Sequence, residues 1–370
     1  MAAPASPLPA PARQGFFATA PLQPPTVIFE LTKRFAADAH PSRVNLGVGA
    51  YRDARLAPVV FSAVRKAEAL VVAAGDNKEY LPIAGLPAFR AAAAELLFGA
   101  DCAAAREGRL ATAQMLSGTG SLMVGAVLLR RLLPRARIFC SDPTWENHGK
   151  VVADAGAGGP GGLEYYRYYD AAGCCLDEDG LLADLGAMPE GSVVLLHACA
   201  HNPTGVDPTR AQWALILEAC RRRRLLPWFD IAYQGFASGD PAEDAWAVRH
   251  FASQGMEMLV SQSFAKNMGL YCERVGALHV VAADAASAAA ALSNVEAIVR
   301  PMYSNPPAHG ARIVAKVLGS AELRAVSAAP PRGAPALRQH CPAQTAEEPP
   351  SLTPALLPPS FLPLRAGVAG

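Results

Sequence analysis

From residue 113 onward the chain alternates short apolar runs with longer segments of helical spacing, and that alternation limits the fold more than any other feature. The runs 193–199, 225–231 and 256–263 have strand length and are largely apolar. A run without in/out alternation suits a strand covered on both faces. Residues 210–223, between the first two runs, have the spacing of an amphipathic helix. The pattern predicts an α/β fold with a mainly parallel sheet and helices on both faces. Sites in such sheets gather at the carboxyl ends of strands, and the polar motifs below fall at those ends.

The 370 residues allow one large domain and a smaller one. With 51% apolar residues and 18% charged ones, a sizeable core can form. A net charge of +1 gives no footprint for nucleic acid or an anionic membrane. The basic run Arg221 to Arg224 reads as a solvated helix end. Eight scattered cysteines form no CxxC pair, and no histidine spacing suggests a metal site. Several lie in apolar segments, which points to buried thiols and a reducing compartment. No apolar stretch approaches the ~20 residues of a membrane span. The first 16 residues are rich in Ala and Pro, with Arg13 and no acid. They suit an organelle-targeting peptide or a disordered arm. The expected location is cytoplasmic, with mitochondrion or plastid as the alternative.

Lys266 stands just past an apolar run, within Ser263-Phe264-Ala265-Lys266-Asn267-Met268-Gly269-Leu270-Tyr271, and Arg274 follows eight residues later. A lysine there is costly unless its amine does chemistry or finds a partner, although it could also snorkel to the surface. Ser117-Gly118-Thr119-Gly120 comes before a helix expected over 121–133. Hydroxyls and glycines opening a helix make an anion site, or simply an N-cap. Ser263 and Arg274 would complete a phosphate cup, since a guanidinium grips phosphate in a bidentate fork. Asp230 ends a buried run, where a carboxylate needs a partner. A cationic ring nitrogen, a helix N-terminus or a metal would each serve. The segment 44–52, a strand broken by Gly47 and Gly49, lets backbone approach something closely, or bulges.

The segment from Ser263 to Gly276 closely resembles the lysine segment of aspartate aminotransferases, class I pyridoxal phosphate (PLP) enzymes of fold type I. Separated motifs extend the resemblance from about Phe17 to about Leu318. It implies PLP as cofactor, carried on Lys266. It assigns Ser117, Gly118, Thr119, Ser263 and Arg274 to the cofactor phosphate, and Asp230 to the pyridine nitrogen. Asn202 and Tyr233 would serve the ring hydroxyl oxygen. Trp145, which also meets the substrate, would stack on the ring, with His148 behind Asp230. His201 has only a supporting part. Catalysis would fall to Lys266, Tyr80, Asp230 and Tyr233. Gly49, Trp145, Asn202 and Arg300 would contact the substrate. Tyr80 and Arg300 would reach across a homodimer interface into the partner's site, Arg300 gripping a distal carboxylate. Tyr303 stands where many relatives carry tryptophan. The implied reaction is ping-pong amino transfer between L-aspartate and 2-oxoglutarate, giving oxaloacetate and L-glutamate.

The resemblance fails over the last fifty or so residues, where ten prolines fall between 330 and 370. The expected organisation is a disordered arm (1–25), the N-terminal part of a small domain (26–57), a PLP-binding large domain (58–327) and a Pro-rich disordered tail (328–370). The small domain would then be incomplete. The alternative function is a truncated homologue that binds PLP with little or no turnover.

Overall fold

The computed structural model describes residues 15–24, 27–45, 49–53 and 57–328. Nine strands are present among them: β1 (Leu110–Leu116), β2 (Ile138–Asp142), β3 (Leu163–Arg167), β4 (Tyr169–Asp170), β5 (Cys175–Leu176), β6 (Val193–His197), β7 (Leu226–Ile231), β8 (Met258–Ser263) and β9 (Val275–Val281). Seven form one sheet in the order β1-β9-β8-β7-β6-β2-β3, and β4 with β5 makes a separate hairpin. In the seven-stranded sheet only β9 runs against its neighbours; the sheet's other pairs are parallel. The mainly parallel sheet expected from the alternation is therefore present.

Side chains alternate between two apolar layers because successive strand residues point to opposite faces. Ile138, Cys140, Leu195, Trp228 and Leu278 pack on one face with the helices Ser117–Leu132 and Ala285–Tyr303. Phe139, Leu196, Phe229 and Val260 pack on the other with the helices Arg210–Arg222 and Trp246–Ser253. Trp228 and Phe229 are fully buried; each such side chain is worth ~2–3 kcal/mol in transfer free energy. A third cluster joins the helices Ser62–Ala73, Pro87–Phe98 and His309–Gly319 to Phe264 and Met268, just beside Lys266.

The reversal of β9 matters for the site. The carboxyl ends of β1, β2, β6, β7 and β8 share one edge, and the amino end of β9 lies at that edge too. Leu116 faces Val275, and Ser263 faces Gly276. Arg274, the residue before β9, is thus delivered beside the ends of β1 and β8.

Three expectations are corrected. The helix expected over 121–133 begins at Ser117, so the hydroxyl-and-glycine motif is its first turn. Gly and Ser are weak helix formers, and close packing on the sheet overrides that preference. The strand expected over 44–52 is not present in its described residues; Arg52 makes an isolated bridge to Pro58, and residues 46–48 lie outside the described ones. Among the described residues no strand lies beside it to pair with it. The run 256–263 pairs only from Met258. The arm expected over 1–25 has a turn at 16–19 and irregular backbone to residue 24; its other residues, and the tail beyond 328, lie outside the described ones. No described helix is long and apolar enough to cross a membrane.

Candidate active site

Lys266 sits three residues past β8, in a turn closed by the Gly269 amide donating to the Lys266 carbonyl at 2.9 Å. Its Nζ lies 5.0 Å from the centroid of the Tyr233 ring. No carboxylate pairs with it among the described ion pairs. Burial therefore lowers its pKa, with Asp230 pulling it up and Arg274 lowering it further. The result is an amine with more of its neutral, nucleophilic form than an ordinary lysine.

Asp230, near the end of β7, is 9% exposed. His148 Nε2–H donates to its Oδ2 at 3.1 Å, and Thr144 Oγ1 lies 2.8 Å from His148 Nδ1. Burial alone would raise this carboxyl, but the His148 hydrogen bond and the nearby positive charge hold it below the ordinary value. Asp230 is therefore a fixed anion. Trp145 meets His148 edge-on, with ring centroids 5.3 Å apart. His197 stands beside His148 and accepts from the Asn202 backbone N–H at 3.1 Å. His148, His197 and Asp230 lie close enough to hold a metal ion, but both nitrogens of His148 already have partners. His201 is a satisfied core histidine: Ser141 and Thr204 hold its two nitrogens at 2.8 Å, and Tyr168 stacks on it.

An anion-binding element lies where β1 and β8 end. Ser117 and Ser263 hydroxyls are 3.0 Å apart, both buried. The first-turn amides of the helix Ser117–Leu132, Gly118 and Thr119 among them, lack intrahelical partners. Two glycines let the strand and helix ends converge. A Cβ on Gly276 would stand 2.5 Å from Gln262 O and from Ser117 C, and one on Gly118 would crowd Ser263 Cβ at 3.2 Å. Arg274, at φ +53°, donates to Tyr271 O at 2.8 Å and is exposed. Gly49 reaches the same cleft: a Cβ there would lie 3.8 Å from the Tyr233 hydroxyl.

The structure thus brings Lys266, Tyr233, Asp230, Trp145, Asn202, Ser117, Gly118, Thr119, Ser263, Arg274 and Gly49 to one edge of the sheet. It does not bring Tyr80 and Arg300 there. Both are exposed and line a separate surface concavity with Leu81, Ile83, Ser304 and Asn305. Tyr271 went unassigned in the sequence; its hydroxyl accepts from the Tyr51 amide at 2.8 Å and pins the segment beside Gly49. Its place within the lysine motif was the only signal.

A parallel-sheet α/β protein with a half-buried lysine, a fixed carboxylate and an anion cup at the strand ends belongs among cofactor-dependent enzymes. More particularly, the chain belongs to the aminotransferase class I and II family, whose sequence model matches residues 41–331. It is 51% identical over 302 residues to the chloroplastic aspartate aminotransferase of Arabidopsis thaliana, spanning 82% of this chain and 66% of that protein. It is 50% identical to the mitochondrial aspartate aminotransferase of Xenopus tropicalis, spanning 81% of this chain and 70% of the relative. Among solved structures, it resembles an aromatic-amino-acid aminotransferase from Burkholderia pseudomallei covalently bound to pyridoxal phosphate. The TM-score is 0.81 at 45% identity, covering 85% of this chain and 77% of the other. The chain spans about two thirds of the length of the curated relatives it matches.

Proposed function

We propose that the chain is a PLP-dependent aspartate aminotransferase, transferring the amino group of L-aspartate to 2-oxoglutarate. The observation that carries this reading is the half-buried Lys266 amine, which makes no ion pair among the described residues and feels the fixed Asp230 anion nearby. PLP fits the residues present. The carboxylate matches a protonated ring nitrogen, and the cup of Ser117, Gly118, Thr119, Ser263 and Arg274 matches its phosphate. Asn202 and Tyr233 supply donors for its ring oxygen, and Trp145 an aromatic face. When bound, the cofactor supplies an electron sink for charge developing at the substrate α-carbon.

The protein's own residues do the rest. Asp230, held by His148, keeps the ring nitrogen protonated. Burial and the Asp230 charge raise the Tyr233 pKa, so Tyr233 stays a hydrogen-bond donor at neutral pH. Lys266 Nζ would take the proton from the substrate Cα and hand it to the carbon on the far side of the amino nitrogen. Gly49 leaves room for the substrate against Tyr233. The proposal includes a second copy of the chain. Tyr80 and Arg300 face outward, so their work on cofactor phosphate and distal carboxylate is done in the partner's cleft. The division at residue 57 is also part of it. The helix Val27–Ala37 buries none of its described side chains, whereas Ala63, Val64 and Ala67 of the helix Ser62–Ala73 are packed into the body. The buried thiols of Cys140, Cys199 and Cys220 support a reducing compartment, the cytoplasm or the alternative, a mitochondrion or plastid.

The test is coupled turnover of aspartate and 2-oxoglutarate by the purified chain with PLP, expected to give ping-pong kinetics. Cofactor absorbance without turnover would favour the alternative, a PLP-binding homologue that does not transaminate. Preference for an aromatic amino acid over aspartate would overturn the substrate assignment.

A further inference from the structure

Four buried polar side chains form a row across the sheet. Thr112 on β1, His279 on β9 and Gln262 on β8 are joined by Gln234, just past β7, in the order in which the strands lie. Thr112 and His279 are direct partners across β1 and β9, and Gln262 lies on the diagonal from His279. The row is continuous: Thr112 Oγ1 to His279 Nδ1 is 2.9 Å, His279 Nε2 to Gln262 Oε1 is 3.0 Å, and Gln262 Nε2 to Gln234 Oε1 is 3.1 Å.

Its polarity follows from one end. Gln234 Nε2 donates to the carbonyls of Leu96 and Pro241, both at 3.0 Å. Reversing that amide would set its oxygen against two carbonyl oxygens, so Gln234 Oε1 must accept from Gln262 Nε2–H. Gln262 Oε1 then accepts, so His279 carries its proton on Nε2, and Nδ1 accepts from the Thr112 hydroxyl. Each link of the row then joins one donor to one acceptor. Burial keeps the ring neutral, with its pKa lowered to about 3. Apolar residues could fill such a row without loss of stability, so the hydrogen bonds specify geometry more than they stabilise.

The row ends one residue from Tyr233. The turn after Tyr233 is tied on its far side by Asp244, which accepts from the amides of Gly235, Ala237 and Ser238. On its near side Gln234 is the tie. We infer that His279 is a positioning residue: through Gln262 and Gln234 it sets Tyr233 over the Lys266 amine. This rests on the reading of Tyr233 as a cofactor ligand.

The test compares the wild-type chain with His279→Leu, His279→Gln and Thr112→Val. In the wild type, nitrogen-15 NMR of histidine-labelled protein should show His279 as the neutral Nε2–H form from pH 5 to 8. An Nδ1–H or cationic ring overturns the row. His279→Leu should shift the pH midpoint of bound-PLP absorbance by about one unit, the scale of one charge-assisted hydrogen bond. His279→Gln, which keeps an acceptor and a donor, should restore most of it. A lower melting temperature with the midpoint unmoved would make His279 merely structural. Should the leucine variant fail to fold, Thr112→Val should give a smaller shift in the same direction, and none would overturn the proposal. If the wild type holds no PLP, the functional reading fails by itself. A crystal structure of either apolar variant then decides: Tyr233 displaced from the Lys266 amine supports the inference, and Tyr233 unmoved overturns it.

Discussion

The two halves of the proposed machinery are built differently. Around Lys266 buried groups are cross-tied: Asp230 by His148, Ser117 by Ser263, the Tyr233 turn by Gln234 and Asp244. Around Arg300 they are exposed, and its guanidinium is held only locally, donating to Ser304 Oγ at 2.5 Å on the next turn. Tyr80 is 81% exposed. The first half is set by the fold of a single copy. In the proposed reading, the second serves a surface outside that copy. Asn305 Nδ2 donates to Leu81 O at 2.9 Å, and Gln114 bonds both the Leu86 amide and Pro307 O. These ties hold the Tyr80 loop against the Arg300 segment.

The largest effect should come from Lys266→Ala, which removes both the anchoring amine and the proton carrier. Turnover should fall by at least ~10³-fold, measured by oxaloacetate release. Arg300→Leu should lower kcat/KM for aspartate by ~10²-fold or more, the cost of one lost charge-assisted pair, with cofactor absorbance unchanged. An equal loss of cofactor would break the division between the two halves. Tyr80→Phe should weaken PLP binding by about tenfold, and the difference from wild type should vanish on dilution below the dimerisation constant.

The remaining prediction concerns stability. His201 and His279 are buried and neutral, each with its pKa lowered from 6.5 to about 3. The unfolded chain binds more protons than the folded one between these limits. Their contribution is therefore complete above pH 6.5 and is lost as pH falls toward 3. Urea midpoints of the PLP-free chain should fall steadily over that range. A flat profile from pH 6.5 to 4 would contradict the buried neutral assignment.

The sheet was legible because both of its faces are covered, which leaves uninterrupted apolar runs such as 225–231. The sites at strand ends were legible for the same reason: a charge or hydroxyl stands out at the end of such a run, as Asp230 and Lys266 do. The true start of the helix at Ser117 was not, because its first turn is made of poor helix formers held by packing against β8 and β9. Nor was the polar row. In sequence His279 is one polar residue in an apolar strand, and its partners at 112, 262 and 234 meet it only through the strand order. The segment 44–52 misled because β-branched and aliphatic residues there had no neighbouring strand. Tyr271 holds it instead.

The central claim is that the Lys266 amine carries the cofactor in the cleft closed by Asp230 and Arg274. It is tested most directly by loading the chain with PLP, reducing with borohydride and locating the label by peptide mass spectrometry. The label should sit on Lys266 at one per chain. A label spread over surface lysines, or a Lys266 left unmodified, would contradict it.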